Sequence, residues 1–366
     1  MPFLALAPSY RMPRTRFCCS SSSNGLRTMP DKPRRRTLSV DDYVSGVLAG
    51  NRALLAQTIT LIESNAPAHF EKAQEVLKQL LPHTGRSIRV GITGVPGAGK
   101  STLIEALGVR LVEAGHRVAV LAIDPTSSVT GGSILGDKTR MDHLSRHQNA
   151  YIRPSPTGGI LGGVARKTRE TMLICEAAGF DVILIETVGT GQSEIVVRSM
   201  VDFFLLVLIT GAGDELQGIK KGVVEIADAI AINKADGDNK LRAEAARSEY
   251  NRALHYLAPA TPGWRTKAFT CSALTGDWVD QLWSTIKTFR QQMLASGVWV
   301  QRRQDQSREW LQTLIIEQLQ QTFFDHPAVQ AELPQIEQAV LSGQLPVTTA
   351  ARQILRVFRQ ATDDHS

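Results

Sequence analysis

The sequence predicts an α/β fold: a parallel sheet between helices, with a helical extension before it and a helical arm after it. Three observations carry this. Short apolar runs of strand length (IRVGIT, RVAVLAID, DVILIET, DFFLLVLIT, DAIAIN and KAFTCSA) alternate with amphipathic helical stretches between residues 88 and 273. Runs this apolar suit strands covered on both faces, which a parallel sheet built from βαβ units provides. The first run leads through a glycine-rich loop directly into a helical stretch, and from about residue 276 the pattern is helical to the end.

Taken in order, residues 1–37 are a tail. Its first 36 residues carry eight basic side chains against Asp31 alone, a net of +7, so the remaining 330 residues sum to −1 within the chain total of +6. The basic pI therefore belongs to the tail, and bulk charge gives the folded part no nucleic-acid-binding character. Arginines, a SSSS run and no acid before residue 31 are transit-peptide composition. A disordered leader, or translation begun upstream of a true start at Met29, accounts for the same residues. The choice between a cytoplasmic protein and one of the mitochondrial matrix stays open with it.

Residues 38–86 read as the helical extension. Apolar residues recur at helical spacing through 39–64, with Ser39 as N-cap and Asp41 and Asp42 in the first turn, and a second helix follows at Pro67. Residues 87–296 hold the sheet. Residues 297–366 are helical, with breaks near Gly297, Pro327 and Pro346, and form an arm or an oligomer contact. The longest uncharged apolar run, FFLLVLIT, has strand length and is too short for a membrane span. Of four cysteines, Cys18 and Cys19 lie in the tail and Cys175 and Cys271 inside apolar patterns; none forms a CxxC pair, so neither a disulfide framework nor a zinc site is expected.

The loop after the first strand is Gly94-Val95-Pro96-Gly97-Ala98-Gly99-Lys100-Ser101-Thr102. Strand, GxxxxGKS and helix together make the P-loop pattern of a P-loop NTPase core. Its glycines let backbone N–H groups curl around phosphate oxygens, and the helix N-terminus adds partial positive charge. Lys100 is expected to reach the β- and γ-phosphates and Ser101 to ligate Mg²⁺. The stretch holds a nucleoside triphosphate.

The base follows from Asn233-Lys234-x-Asp236 at the end of the DAIAIN run. A carboxylate there accepts from both N1–H and the 2-amino group of guanine, whereas adenine would leave it unpaired. CSAL supplies the neighbouring loop, with backbone groups of Ser272 and Ala273, and Leu274 beside them, against the base. Two further acids fall at predicted strand ends, Asp124 in VLAIDPTSS and Glu186 in ETVGTGQSE, where P-loop NTPases need a carboxylate for the magnesium shell. Asp137 in ILGDKTRM suits either a metal role or a helix N-cap. Lys220 in GDELQGIKKG reads on local sequence as half of a solvated pair with Lys221. His143 and His147, four apart, lack a third ligand and read as surface histidines.

As a set, the P-loop with ETVGTGQSE, ILGDKTRM, DELQGIKKG and INKADGDN resembles the MeaB/ArgK/MMAA group of SIMIBI-class P-loop GTPases, over roughly residues 38–360. A Glu where most GTPases have Asp, as in ETVG, marks that branch. The resemblance implies a homodimeric GTPase, with the C-terminal arm as dimer contact. It implies a chaperone of adenosylcobalamin-dependent methylmalonyl-CoA mutase that gates cofactor loading and protects the enzyme. It gives catalytic roles to Lys100, Glu186 and Lys220, assigns Ser101, Asp124, Asp137 and Glu186 to magnesium and the switch loops, and leaves guanine to Asn233, Lys234 and Asp236. The DxHxxG pattern that presents a histidine to cobalt is missing, so the partner is expected to carry the cobalamin. The CxCC and Cys-Pro-His patterns of sister metallochaperone branches are missing too. An older label for the group, a kinase of lysine/arginine/ornithine transport, leaves a transport-associated kinase as the rival; no kinase signature set accompanies it.

Overall fold

The computed structural model describes residues 38–124, 141–156, 161–187, 193–210 and 221–363. From Ser39 onward the chain forms one compact unit. It opens with α1 (Val40–Leu48), α2 (Arg52–Glu63) and α3 (Pro67–Leu80). Ser39 caps α1 through a capping box with Asp42. The apolar spacing through 39–64 predicted one helix; the structure has two. The periodicity survives a break at Gly50 because Asn51 starts a new helix in phase, its Oδ1 accepting from the N–H groups of Ala53 and Leu54.

Seven strands follow: β1 (Ile88–Gly94), β2 (Val118–Asp124), β3 (Ala150–Pro156), β4 (Val182–Thr187), β5 (Phe203–Ile209), β6 (Ala229–Asn233) and β7 (Lys267–Thr270). They form one sheet in the order β3-β2-β4-β1-β5-β6-β7, every pair parallel. Six match the apolar runs; β3 does not. Its sequence AYIRPSP carries two prolines and an arginine, which the strand tolerates because it lies at the edge, paired on one side only.

The helices between strands are α4 (Lys100–Glu113), α5 (Asp142–Arg146), α6 (Leu161–Ala177), α7 (Ser193–Arg198), α8 (Lys221–Glu225) and α9 (Lys240–His255). After β7 come α10 (Val279–Ala295), α11 (Val298–Phe324), α12 (Pro327–Leu341) and α13 (Val347–Asp363), broken at the three predicted places. Alternation along β5 shows how the sheet is covered. Phe204, Leu206 and Leu208 join a core with α1–α3, α6 and α9, whereas Phe203, Leu205 and Val207 join one with α4, α5 and α10. Both sets are buried, as a two-sided parallel sheet requires. A smaller cluster of Val329, Ile336, Ala350 and Ile354 holds α12 against α13.

The amino edge of the sheet is pinned by ion pairs. Asp202, just before β5, accepts from Arg89 N (2.8 Å) and from Arg303 of α11 (2.8 and 2.7 Å). Asp228, just before β6, accepts from Phe204 N (2.9 Å), pairs with Arg198 (3.2 Å) and lies 3.7 Å from Arg302. Glu176 takes Arg89 at 2.8 and 3.1 Å. The three carboxylates are at most 1% exposed.

Candidate functional site

All the strands point their carboxyl ends the same way, and β1 lies centrally between β4 and β5, so the loops that open from them gather at one edge. In open α/β sheets ligands bind there. The P-loop joins β1 to α4 within six residues. Gly94 (φ +147°) admits no other residue, since a Cβ would stand 1.9 Å from the Val207 carbonyl oxygen of β5. At Gly99 (φ +83°) a Cβ would stand 2.6 Å from Asn233 Nδ2. The loop is thus pressed against both the neighbouring strand and the β6 end.

Lys100 is buried, and its Nζ donates to the carbonyls of Gly94 (2.8 Å) and Val95 (3.1 Å). Burial lowers its pKa from the ordinary lysine value, while the carboxylates of Glu186 and Glu194 act to raise it. Ser101 Oγ donates to Glu186 Oε1 at 2.7 Å, bringing the first turn of α4 onto the end of β4. Beneath them Thr187 Oγ1 donates to Thr93 Oγ1 at 2.7 Å, both residues fully buried. Thr102 beside them is exposed.

Asn233 joins the P-loop to the loop after β7. Its Nδ2 donates to Ala98 O (2.7 Å), and its Oδ1 accepts from Ala273 N (3.1 Å). Lys234 is exposed and takes a left-handed backbone (φ +58°). Ala235 N then donates to Cys271 O (3.0 Å), and Ser272 Oγ donates to Asp236 Oδ2. Buried Ser272 therefore orients the Asp236 carboxylate, while Leu274 projects outward, 83% exposed.

The structure thus assembles two clusters on one edge: Lys100, Ser101 and Glu186, and Asn233, Asp236, Ser272 and Ala273. Asp124 is the last residue of β2, at the same edge, with its side chain outside the described residues; Asp137 and Lys220 lie wholly outside them. His143 belongs to α5, but His147 falls past its end, so the two are not on one helical face. Among the described residues no His, Cys, Asp and Glu cluster suits a metal by itself, and Cys175 and Cys271 are buried and unpaired. Sequence reasoning missed Glu194 as a neighbour of Lys100, although it closes the ETVGTGQSE stretch. It also missed the Thr93–Thr187 bond, which only the pairing of β1 with β4 reveals.

Comparison with known proteins adds the family. Residues 55–328 match the model described as methylmalonyl-CoA mutase-associated GTPase MeaB. The chain belongs to the MeaB family. A Caulobacter vibrioides relative, named only as a GTPase, is 55% identical over 321 residues, 88% of this chain and 98% of its own. The mouse methylmalonic aciduria type A homolog, named as mitochondrial, is 46% identical over 341 residues, 90% of this chain and 81% of its own. Among solved structures, one named LAO/AO transport system kinase superposes with a TM-score of 0.71 at 39% identity, covering 87% of this chain and 97% of that one. As a MeaB-family member this protein is a GTPase. No helix among the described residues is long and apolar enough to cross a membrane.

Proposed function

We propose that this GTPase binds and hydrolyses GTP with Mg²⁺ at the carboxyl edge of its sheet, as chaperone of an adenosylcobalamin-dependent methylmalonyl-CoA mutase. In this reading it gates cofactor loading and protects the mutase. One observation carries the nucleotide part: phosphate-type and guanine-type residues meet through Asn233, which contacts both the P-loop and the Cys271–Ala273 loop. The family description and the mouse relative's name support the mutase part.

Lys100 exchanges its two carbonyl partners for phosphate oxygens and neutralises their charge. Asp236 accepts from the guanine edge, and Ser272 keeps its carboxylate turned to the site. The Ser101 hydroxyl and Glu186 carboxylate, already in contact, are the hard oxygen donors that Mg²⁺ takes; with Asp124 and Asp137 they would hold it. The ion supplies charge neutralisation at the transferring phosphate. Glu186 also orders the attacking water.

The arm from 297 carries the dimer contact. Leu311, Ile315, Ile316 and Leu319 lie along one face of α11 and are each about half exposed or more, which supports a second copy as their cover. The helical extension 38–86, GTPase domain 87–296 and arm 297–366 then have separate tasks within one folded unit. We place the protein in the cytoplasm, or in the mitochondrial matrix should residues 1–37 be a targeting segment. A transport kinase, the function in the solved relative's name, needs a phosphoacceptor site that no motif of this chain supplies.

The test is steady-state GTP hydrolysis with and without an adenosylcobalamin-dependent methylmalonyl-CoA mutase. The mutase accelerates the wild type, and Lys220→Ala loses most of that stimulation. A wild type indifferent to such a mutase would remove the chaperone role and leave the GTPase.

A further inference from the structure

Lys234 holds a left-handed backbone that, among the described non-glycine residues, only Trp278 shares. In that region an L-residue's Cβ crowds its own carbonyl, so the conformation persists where the surroundings over-determine it. At Lys234 the carbonyl itself is held by one side chain. Asn239 Nδ2 donates to Lys234 O at 2.7 Å, and Asn239 Oδ1 accepts from Thr210 Oγ1. The Asn239 N–H donates to Asp236 O at 3.1 Å, closing the turn from the other side.

The polarity of this relay is fixed by chemistry. A backbone carbonyl only accepts, so the amide must face Lys234 with its NH₂ group. That leaves Oδ1 to Thr210, whose hydroxyl then donates. Thr210 follows β5 directly, and β5 pairs with β6 through Ile209 and Asn233. The base-reading turn is thereby tied to the end of the adjacent strand as well as to the P-loop and the Cys271–Ala273 loop.

We infer that Asn239 is a positioning residue for guanine recognition: it holds the Lys234 turn that aims Asp236 at the base. The inference rests on the guanine reading of that turn. Among the described residues the side chain of Asn239 bonds only to Thr210 and Lys234, neither of them a phosphate or metal group, so its loss affects binding and spares the chemical step.

Asn239→Ala and Asn239→Asp separate positioning from packing. Aspartate has nearly the size of asparagine and keeps the acceptor for Thr210, but it turns an oxygen, not a donor, toward Lys234 O. Both variants should bind a fluorescent GDP about tenfold more weakly, the loss of one net hydrogen bond. The GTP KM should rise to match, while kcat at saturating GTP stays at the wild-type value and the thermal midpoint falls by no more than about a few degrees. Asn239→Asp binding GDP like the wild type would overturn the inference, as would a fall in kcat at unchanged KM. A wild type that binds GDP no better than ADP would overturn the guanine reading itself and this inference with it. Selective wild-type binding with an unaffected Asn239→Asp overturns this inference alone.

Discussion

The two edges of the sheet treat charged side chains in opposite ways. At the amino edge Asp202, Asp228 and Glu176 are buried and each is matched to arginine, so that strand starts, α6, α7 and α11 are held together. At the carboxyl edge Lys100 is bonded to backbone carbonyls, Glu186 to a serine hydroxyl and Asp236 to another. Those are partners that can be given up to a phosphate, a metal ion or a base. Both edges use polar groups, but the described amino-edge carboxylates bond directly to arginines, whereas Lys100, Glu186 and Asp236 bond to carbonyl and hydroxyl groups. One edge is pinned by ion pairs, and the other presents bonds that a ligand can exchange.

The comparison breaks most visibly at Asp228. Asp228→Ala leaves Arg198 and Arg302 as partly buried neighbouring cations and strips Phe204 N of its acceptor. Breaking a buried pair this way costs about 3–5 kcal/mol. Chemical denaturation should show that loss, while the fraction still folded keeps its GDP affinity. At the opposite edge Lys100→Ala should do the reverse. Nucleotide affinity falls about a hundredfold with the loss of charge-assisted bonds, and the denaturation midpoint stays in place. Titration calorimetry beside the denaturation curve reads both.

Glu186→Ala sharpens the contrast within the carboxyl edge. GDP affinity should hold within a small factor, while turnover falls about tenfold and its Mg²⁺ requirement rises, as when a metal-shell partner is removed. Unchanged turnover across a magnesium titration would make the Ser101–Glu186 contact purely structural.

The smallest effect is a pH dependence at the amino edge. Burial acts to raise the Glu176 pKa, but the Arg89 guanidinium and the donors of Ser87 and Gly85 more than offset it, holding it below its ordinary 4.5. A carboxyl whose folded pKa is depressed stabilises fully above its unfolded value. That contribution is lost as pH falls through the folded one. The stability gap between wild type and Glu176→Gln should therefore be constant from pH 7 to about 5 and narrow below the unfolded value near 4.5. A gap that widened in acid would reverse the sign of the coupling.

Much of this was legible in the sequence because its signals are local. Six apolar runs became strands, glycine and proline marked the ends of the C-terminal helices, and the P-loop and NKAD stretches reached one edge because every strand points the same way. What escaped is relational. The prolines of β3 argue against a strand until its edge position is known. Asp202 and Asp228 look like solvated acids before apolar runs until α11 brings Arg302 and Arg303 onto them. Asn239 looks like an ordinary turn residue until β5 places Thr210 against it. The split of α1 from α2 was hidden because helical spacing continues across the break.

The most direct test of the carboxyl-edge account is a calorimetric comparison of GDP, ADP and xanthosine diphosphate binding to the wild type and to Asp236→Asn. The wild type should bind GDP at least a hundredfold more tightly than ADP, because adenine strands the carboxylate unpaired. Asp236→Asn should give up GDP and take the xanthine nucleotide, whose 2-oxo group accepts from the new amide. Equal affinity of the wild type for GDP and ADP would contradict the account.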